Sequence, residues 1–90
     1  MQKAKSWKDL QRQLLNLEGK GKFHIKGEDG ETFDCILHKV QSKELVFFNG
    51  SKFVYVEIDT EQLTFIENGF IHKTHTFTLL PESETKEERI

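Results

Sequence analysis

Between positions 22 and 37 the chain reads Lys22-Phe23-His24-Ile25-Lys26-Gly27-Glu28-Asp29-Gly30-Glu31-Thr32-Phe33-Asp34-Cys35-Ile36-Leu37. Apolar residues return at every second position on either side of Asp29-Gly30, which is the period of strands that hide one face. Asp-Gly supplies the positive φ that a tight hairpin needs. The pattern predicts two antiparallel strands, with Phe33, Cys35 and Leu37 sharing one face of the second. Asn49-Gly50 and Asn68-Gly69 repeat the turn signal further along. Together these dipeptides predict strands near 22–28, 31–41, 44–48, 51–58, 63–67 and 70–79, with Gln41-Ser42-Lys43 and Asp59-Thr60-Glu61 as the remaining connections. The expected topology is a six-strand antiparallel meander. Its fourth strand is apolar on both sides, Phe53 and Tyr55 opposing Val54, Val56 and Ile58, which suggests a barrel or an oligomer seam. Its last strand places Ile71, His75, Phe77 and Leu79 on one face and Thr74, Thr76 and Thr78 on the other.

Ahead of the strands, residues 5–18 read as one helix. Ser6 can cap it, and Trp7, Leu10, Leu14 and Leu17 recur at helical spacing until Gly19 and Gly21 end it. Lys3, Lys5, Lys8, Arg12 and Lys20 outnumber Asp9 and Glu18 in this zone, so the helical end is basic. Behind the strands, residues 81–90 contain the sole proline, four glutamates and no aromatic, and are expected to form a disordered acidic tail. The expected organisation is a single domain over 1–80 followed by that tail.

A chain of 90 residues holds one domain with a modest core, and eight Phe, one Trp and one Tyr supply most of what can be buried. The net charge of -2 lacks the basic excess of a protein that binds nucleic acid by phosphate neutralisation alone. A single cysteine, Cys35, forms no internal disulfide, so a reducing, cytoplasmic setting is expected. No apolar run approaches the roughly 20 residues of a membrane helix.

The helix followed by a strongly bent meander is the layout of Sm-like small barrels. Leu10-Gln11-Arg12-Gln13-Leu14-Leu15-Asn16 resembles the Leu-Gln-x-x-Phe-Leu-Asn helix of bacterial Hfq-type proteins, and Asp29-Gly30, preceded by Phe23 and Ile25, resembles that family's Asn-Gly turn. Phe33, Leu37 and Val40 fall at its core positions, and Ser51-Lys52-Phe53-Val54-Tyr55 is similar to the start of its second Sm segment. The resemblance spans roughly residues 7–66 and implies an Sm-like or closely related SH3-like barrel, an oligomeric ring and binding of single-stranded RNA. It departs from the family where RNA is held. Tyr55-Val56-Glu57 replaces a Tyr-Lys-His sequence, and Glu44 or Leu45 stands where a base-stacking aromatic belongs; Gln11 alone has a contact-residue counterpart. Cys35 occupies the small position at which the family bends its second strand, the segment from Tyr55 to Ile66 is longer than the family's, and the strand over 70–79 lies outside the pattern.

Two functions follow. The first is a small non-enzymatic module acting by protein–protein interaction, an adaptor or inhibitor of phage or bacterial type, with Phe47, Phe48, Phe53 and Tyr55 as its contact residues. The alternative is an Sm-like protein that holds single-stranded RNA or DNA on Lys5, Lys8, Gln11 and Arg12. A homo-oligomer is expected in either case, with no cofactor. His72 and His75, three apart on one strand, would point to opposite faces and share no metal ion, and Cys35 and His38 would likewise be divided. Asp34, Glu57 and Asp59 read as a solvated strand face rather than an acid/base pair. Trp7 reads as an anchor of the helix onto the sheet.

Overall fold

A computed structural model describes residues 1–81, so the expected tail, Pro81 apart, lies outside the described residues. The helix, α1 (Trp7–Leu15), is shorter than its periodicity implies. Ser6 caps it in extended geometry, its hydroxyl accepting the Asp9 N–H at 3.1 Å. It stops at Asn16 because the following turns carry the chain to Gly19 (φ 83), whose N–H leaves the helix to bond Leu37 O at 2.8 Å. Trp7 anchors it as expected: the indole N–H donates to Ser42 O at 3.0 Å. The Gln11 amide donates to Gln41 O at 2.9 Å, and the Glu18 carboxylate accepts the Val40 N–H at 2.8 Å.

Seven strands follow: β1 (Lys22–Lys26), β2 (Thr32–Val40), β3 (Glu44–Phe48), β4 (Phe53–Glu57), β5 (Leu63–Ile66), β6 (Gly69–His72) and β7 (His75–Leu79). All pairings are antiparallel and form one sheet in the order β4-β3-β2-β1-β7-β6-β5. The expectation of six strands in a continuous meander is corrected in two ways. Residues 70–79 fold back on themselves at Lys73-Thr74, with Lys73 at φ 57 and His72 opposite His75. Moreover β1 lies at the centre, bonded to both β2 and β7, so the sheet consists of two meanders joined through the first and last strands.

The turns also sit differently from the dipeptides that signal them. Asp29-Gly30 lies in a five-residue loop closed by the Gly27 N–H to Glu31 O bond at 2.8 Å. In the β3–β4 turn only Gly50 is left-handed (φ 100), while the Asn49 side chain accepts the Ser51 and Lys52 N–H groups. Between β5 and β6 the left-handed residue is Asn68 (φ 62), not Gly69. Gly69 is instead demanded by close approach, since a Cβ there would collide with the Phe77 carbonyl oxygen.

The sheet is open, with β4 and β5 as its edges, yet it must curl. Six inter-strand spacings of about 4.8 Å would put the edges of a flat sheet about 29 Å apart. The link from Glu57 to Leu63, which includes a short 3₁₀ turn at Thr60–Gln62, reaches at most about 21 Å. Curling is helped by an irregularity of register between Leu37 and Lys39, where His38 is the extra residue of a bulge. The irregularity of β2 therefore lies at His38, while Cys35 keeps regular register with Phe23. The concave face holds one core: Leu10 and Leu14 from α1 meet Phe23, Ile25, Cys35, Leu37, Leu45, Phe47, Phe70 and Phe77. Phe47 packs edge-on to Phe23 at 5.8 Å and stacks with Phe77 at 5.5 Å, and Phe77 stacks on Phe70 at 4.6 Å.

Candidate functional site

Cross-strand register sorts the apolar residues of β2, β3 and β4 into two faces. Leu37, Phe47 and Val54 form one concave row, and Val40, Leu45 and Val56 the next. On the convex face Ile36, Phe48 and Phe53 stand in a row, followed by Lys39, Val46 and Tyr55. The bulged His38 turns to this convex side, its ring 4.9 Å from that of Phe53, and Phe48 lies 5.0 Å from Phe53. Val46 is buried outside the main core, which shows how far its neighbours cover it. Exposure is greatest on the edge strand, where Phe53 is 46% and Tyr55 64% exposed, against 38% for Ile36 on β2. The result is an aromatic surface that ends at an open strand.

The backbone of that strand is oriented for pairing. Bonds from the Asn49 N–H to Lys52 O and from the Ile58 N–H to Lys43 O fix the phase of the β3–β4 ladder. Antiparallel alternation then turns the N–H and C=O groups of Val54 and Val56 toward β3, and those of Phe53, Tyr55 and Glu57 toward the open side. Protein sheets commonly blunt such an edge with Lys, Pro or a bulge, and Phe53-Val54-Tyr55-Val56 carries none of these.

Of the four aromatic residues named for protein contact, Phe48, Phe53 and Tyr55 meet on this surface, whereas Phe47 is fully buried in the core. Ile36, His38 and Val46 complete the surface and were not among the residues named for protein contact from sequence. Their signal was register: Ile36 is out of phase with Cys35 and Leu37, and the bulge that brings His38 over Phe53 has no marker in the residue types.

The basic group on α1 is partly committed within the fold. Arg12 is paired with Asp9, whose carboxyl is held below its ordinary range by the Lys5 backbone N–H and then by Arg12. Gln11 is half-buried and spends its amide on Gln41 O. Lys5 and Lys8 remain exposed.

The other candidate groups do not converge on one centre. The hairpin at Lys73-Thr74 makes His72 and His75 direct cross-strand neighbours, which corrects the expectation that they point apart; Ile71, expected on the His75 face, pairs instead with Thr76. His72 is buried, and its Nε2 accepts the Asp59 N–H at 3.0 Å. Burial first, then Lys73, pushes its pKa below 6.5, against the pull of Asp59. Cys35 points into the core, where burial raises the thiol, and His38 points outward. Asp34 pairs with His24 at 2.8 Å, Asp59 accepts the Glu61 N–H, and Glu57 lies opposite Glu44. Among the described residues no three His, Cys, Asp or Glu side chains gather as a metal site would require, and no helix is long and apolar enough to cross a membrane.

The fold and surface define a small, mainly β domain with one N-terminal helix and an open, aromatic sheet edge. Comparison with known proteins finds no family model, no curated protein and no solved structure that matches this chain.

Proposed function

We propose that this protein is a small non-enzymatic binding module that acts by protein–protein interaction, receiving an extended protein segment along β4. The observation that carries the reading is the coincidence of an unblocked strand edge with Phe53 and Tyr55 exposed beside it. Strand addition draws affinity from main-chain hydrogen bonds and specificity from side chains on alternate positions, and β4 offers both. The packed N-terminal helix and the bulged second strand support a relation to Sm-like or SH3-like folds for the scaffold, while the open seven-stranded sheet, which does not close into a barrel, weighs against it. The RNA-binding reading loses support from the commitment of Gln11 and Arg12 to contacts within the chain.

Retention from native lysate on immobilised wild-type chain and on a Tyr55→Pro variant tests the proposal. The Tyr55 N–H faces the open side, so proline removes an edge donor while leaving the β3 ladder intact. A stoichiometric protein retained by wild type and lost from Tyr55→Pro is expected. Retention of nucleic acid alone, removable by nuclease and abolished by Lys8→Glu with Arg12→Glu, would replace this reading with the RNA-binding one.

A further inference from the structure

We propose that Asn49 is a modification site, deamidated without an enzyme by the backbone nitrogen of Gly50, and that the fold protects Asn68, the asparagine of the other Asn-Gly pair, from the same reaction. The proposal goes beyond the binding reading above and does not depend on it. In this chemistry the backbone nitrogen that follows asparagine attacks the side-chain carbon Cγ. A new C–N bond closes a five-membered succinimide ring, the C–N bond to the side-chain nitrogen breaks, and ammonia leaves with the proton of the former backbone N–H. Water then opens the ring at either carbonyl, giving aspartate or isoaspartate, the latter with its backbone running through Cγ.

The reaction needs an uncommitted backbone nitrogen, room for its peptide to turn, and a Cγ carbonyl that can take up charge. The β3–β4 turn provides all three. Among the described residues the Gly50 N–H donates no hydrogen bond. Asn49 and Gly50 are both exposed, and nothing lies within 4 Å of where a Cβ would stand on Gly50. Asn49 Oδ1 accepts the Ser51 N–H at 2.9 Å and the Lys52 N–H at 3.0 Å. As the nitrogen attacks, an electron pair of the Cγ carbonyl moves onto Oδ1, where two donors already point at it and stabilise the charge as an oxyanion hole does. The same donors then hold the aspartate product, because a carboxylate accepts from them more strongly than an amide does.

Asn68-Gly69 is the same dipeptide in a different setting. The Leu79 N–H holds the Asn68 carbonyl at 2.8 Å. That bond sets the phase of the β6–β7 ladder and turns the Gly69 N–H toward Ile66, its hydrogen-bonded partner across the hairpin. Gly69 is also buried against the Phe77 carbonyl, so its peptide cannot turn while the ladder is intact. The Met1 ammonium reaches Asn68 Oδ1 at 3.1 Å, but a polarised amide is of no use without a free nucleophile. At Asp29-Gly30 the nitrogen is likewise committed, the Gly30 N–H donating to Gly27 O at 3.1 Å.

Incubation of the full chain at mildly alkaline pH, folded in buffer and unfolded in guanidinium chloride, followed by peptide mapping with mass spectrometry, tests the proposal. In the folded chain Asn49 is expected to exchange its side-chain NH₂ for an oxygen at least about tenfold faster than Asn68, whose reaction must wait for local opening of the ladder. In denaturant the two asparagines should react at similar rates, and Asn49 should react no faster there than in the fold. Ion-exchange chromatography of the folded chain should show a growing species one charge more negative than the formal -2, coincident with Asn49→Asp and absent from Asn49→Ser, whose hydroxyl can still accept the turn's N–H groups. Equal rates at Asn49 and Asn68 in the folded chain overturn the proposal. So does an Asn49 that reacts only in denaturant, which would mean that the turn shields its amide, and so does an acidic species that persists in Asn49→Ser.

Discussion

Phe47 and Phe48 are chemically identical neighbours with different duties, and strand parity separates them: Phe47 lies between Phe23 and Phe77, while Phe48 rests on Phe53 outside. Phe47→Ala should therefore cost about 3–5 kcal/mol in denaturant-measured stability. Phe53→Ala, which removes a side chain already 46% exposed, should cost under about 1 kcal/mol. Equal losses for the two would contradict the assignment of faces. His72 gives a second expectation. Its imidazole must be neutral to accept the Asp59 N–H, and its pKa in the folded state lies below 6.5. The unfolded chain consequently binds the proton more readily, so this group's contribution to stability is present above pH 6.5 and is lost as pH falls through the folded-state value. Thermal melts from pH 8 to pH 5 should show that loss, and it should shrink in His72→Gln, whose amide oxygen can accept the same N–H without titrating.

At the scale of elements, hairpins were legible wherever Gly accompanied Asp or Asn, because those residues reveal the left-handed backbone that a turn demands. The positions of the turns were less so: Asn68 rather than Gly69 adopts positive φ, and Gly69 serves the close passage of β7. The Lys73-Thr74 turn left no such mark. Lys carries a Cβ that opposes φ 57, so the left-handed residue there is held by the flanking β6–β7 ladder rather than announced by its type. Reading 70–79 as one strand then reversed the parity of Ile71 and His72 together. On the second strand the inward set was legible in part: Cys35, Leu37 and Val40 are buried, Phe33, expected with them, stays exposed, and the step from Leu37 to Val40 skips a beat that only the bulge explains. The interaction surface followed the same rule. Phe48, Phe53 and Tyr55 were found by residue type, whereas Ile36, His38 and Val46 required the register, which belongs to pairs of strands.

For the molecule as a whole, the decisive pairing is between β1 and β7, in which Phe23 lies opposite Leu79 and Ile25 opposite Phe77. Local turns build each meander from its own residues, but nothing local joins them. The junction closes a loop of more than fifty residues, and an antiparallel sheet with so distant a seam belongs among slow two-state folders, on the millisecond-to-second scale. During synthesis the same geometry imposes an order: β1 emerges early and must wait, one flank unpaired, until β7 has left the ribosome. Nascent chains ending before His75 should therefore remain protease-sensitive, and those extending past Leu80 with room to clear the exit tunnel should become resistant in a single step; a graded gain of resistance would mean that the two halves fold as separate units. Because β1 stays half-paired until β7 arrives, the seam between the two meanders is the step at which the described sheet gains its cooperativity.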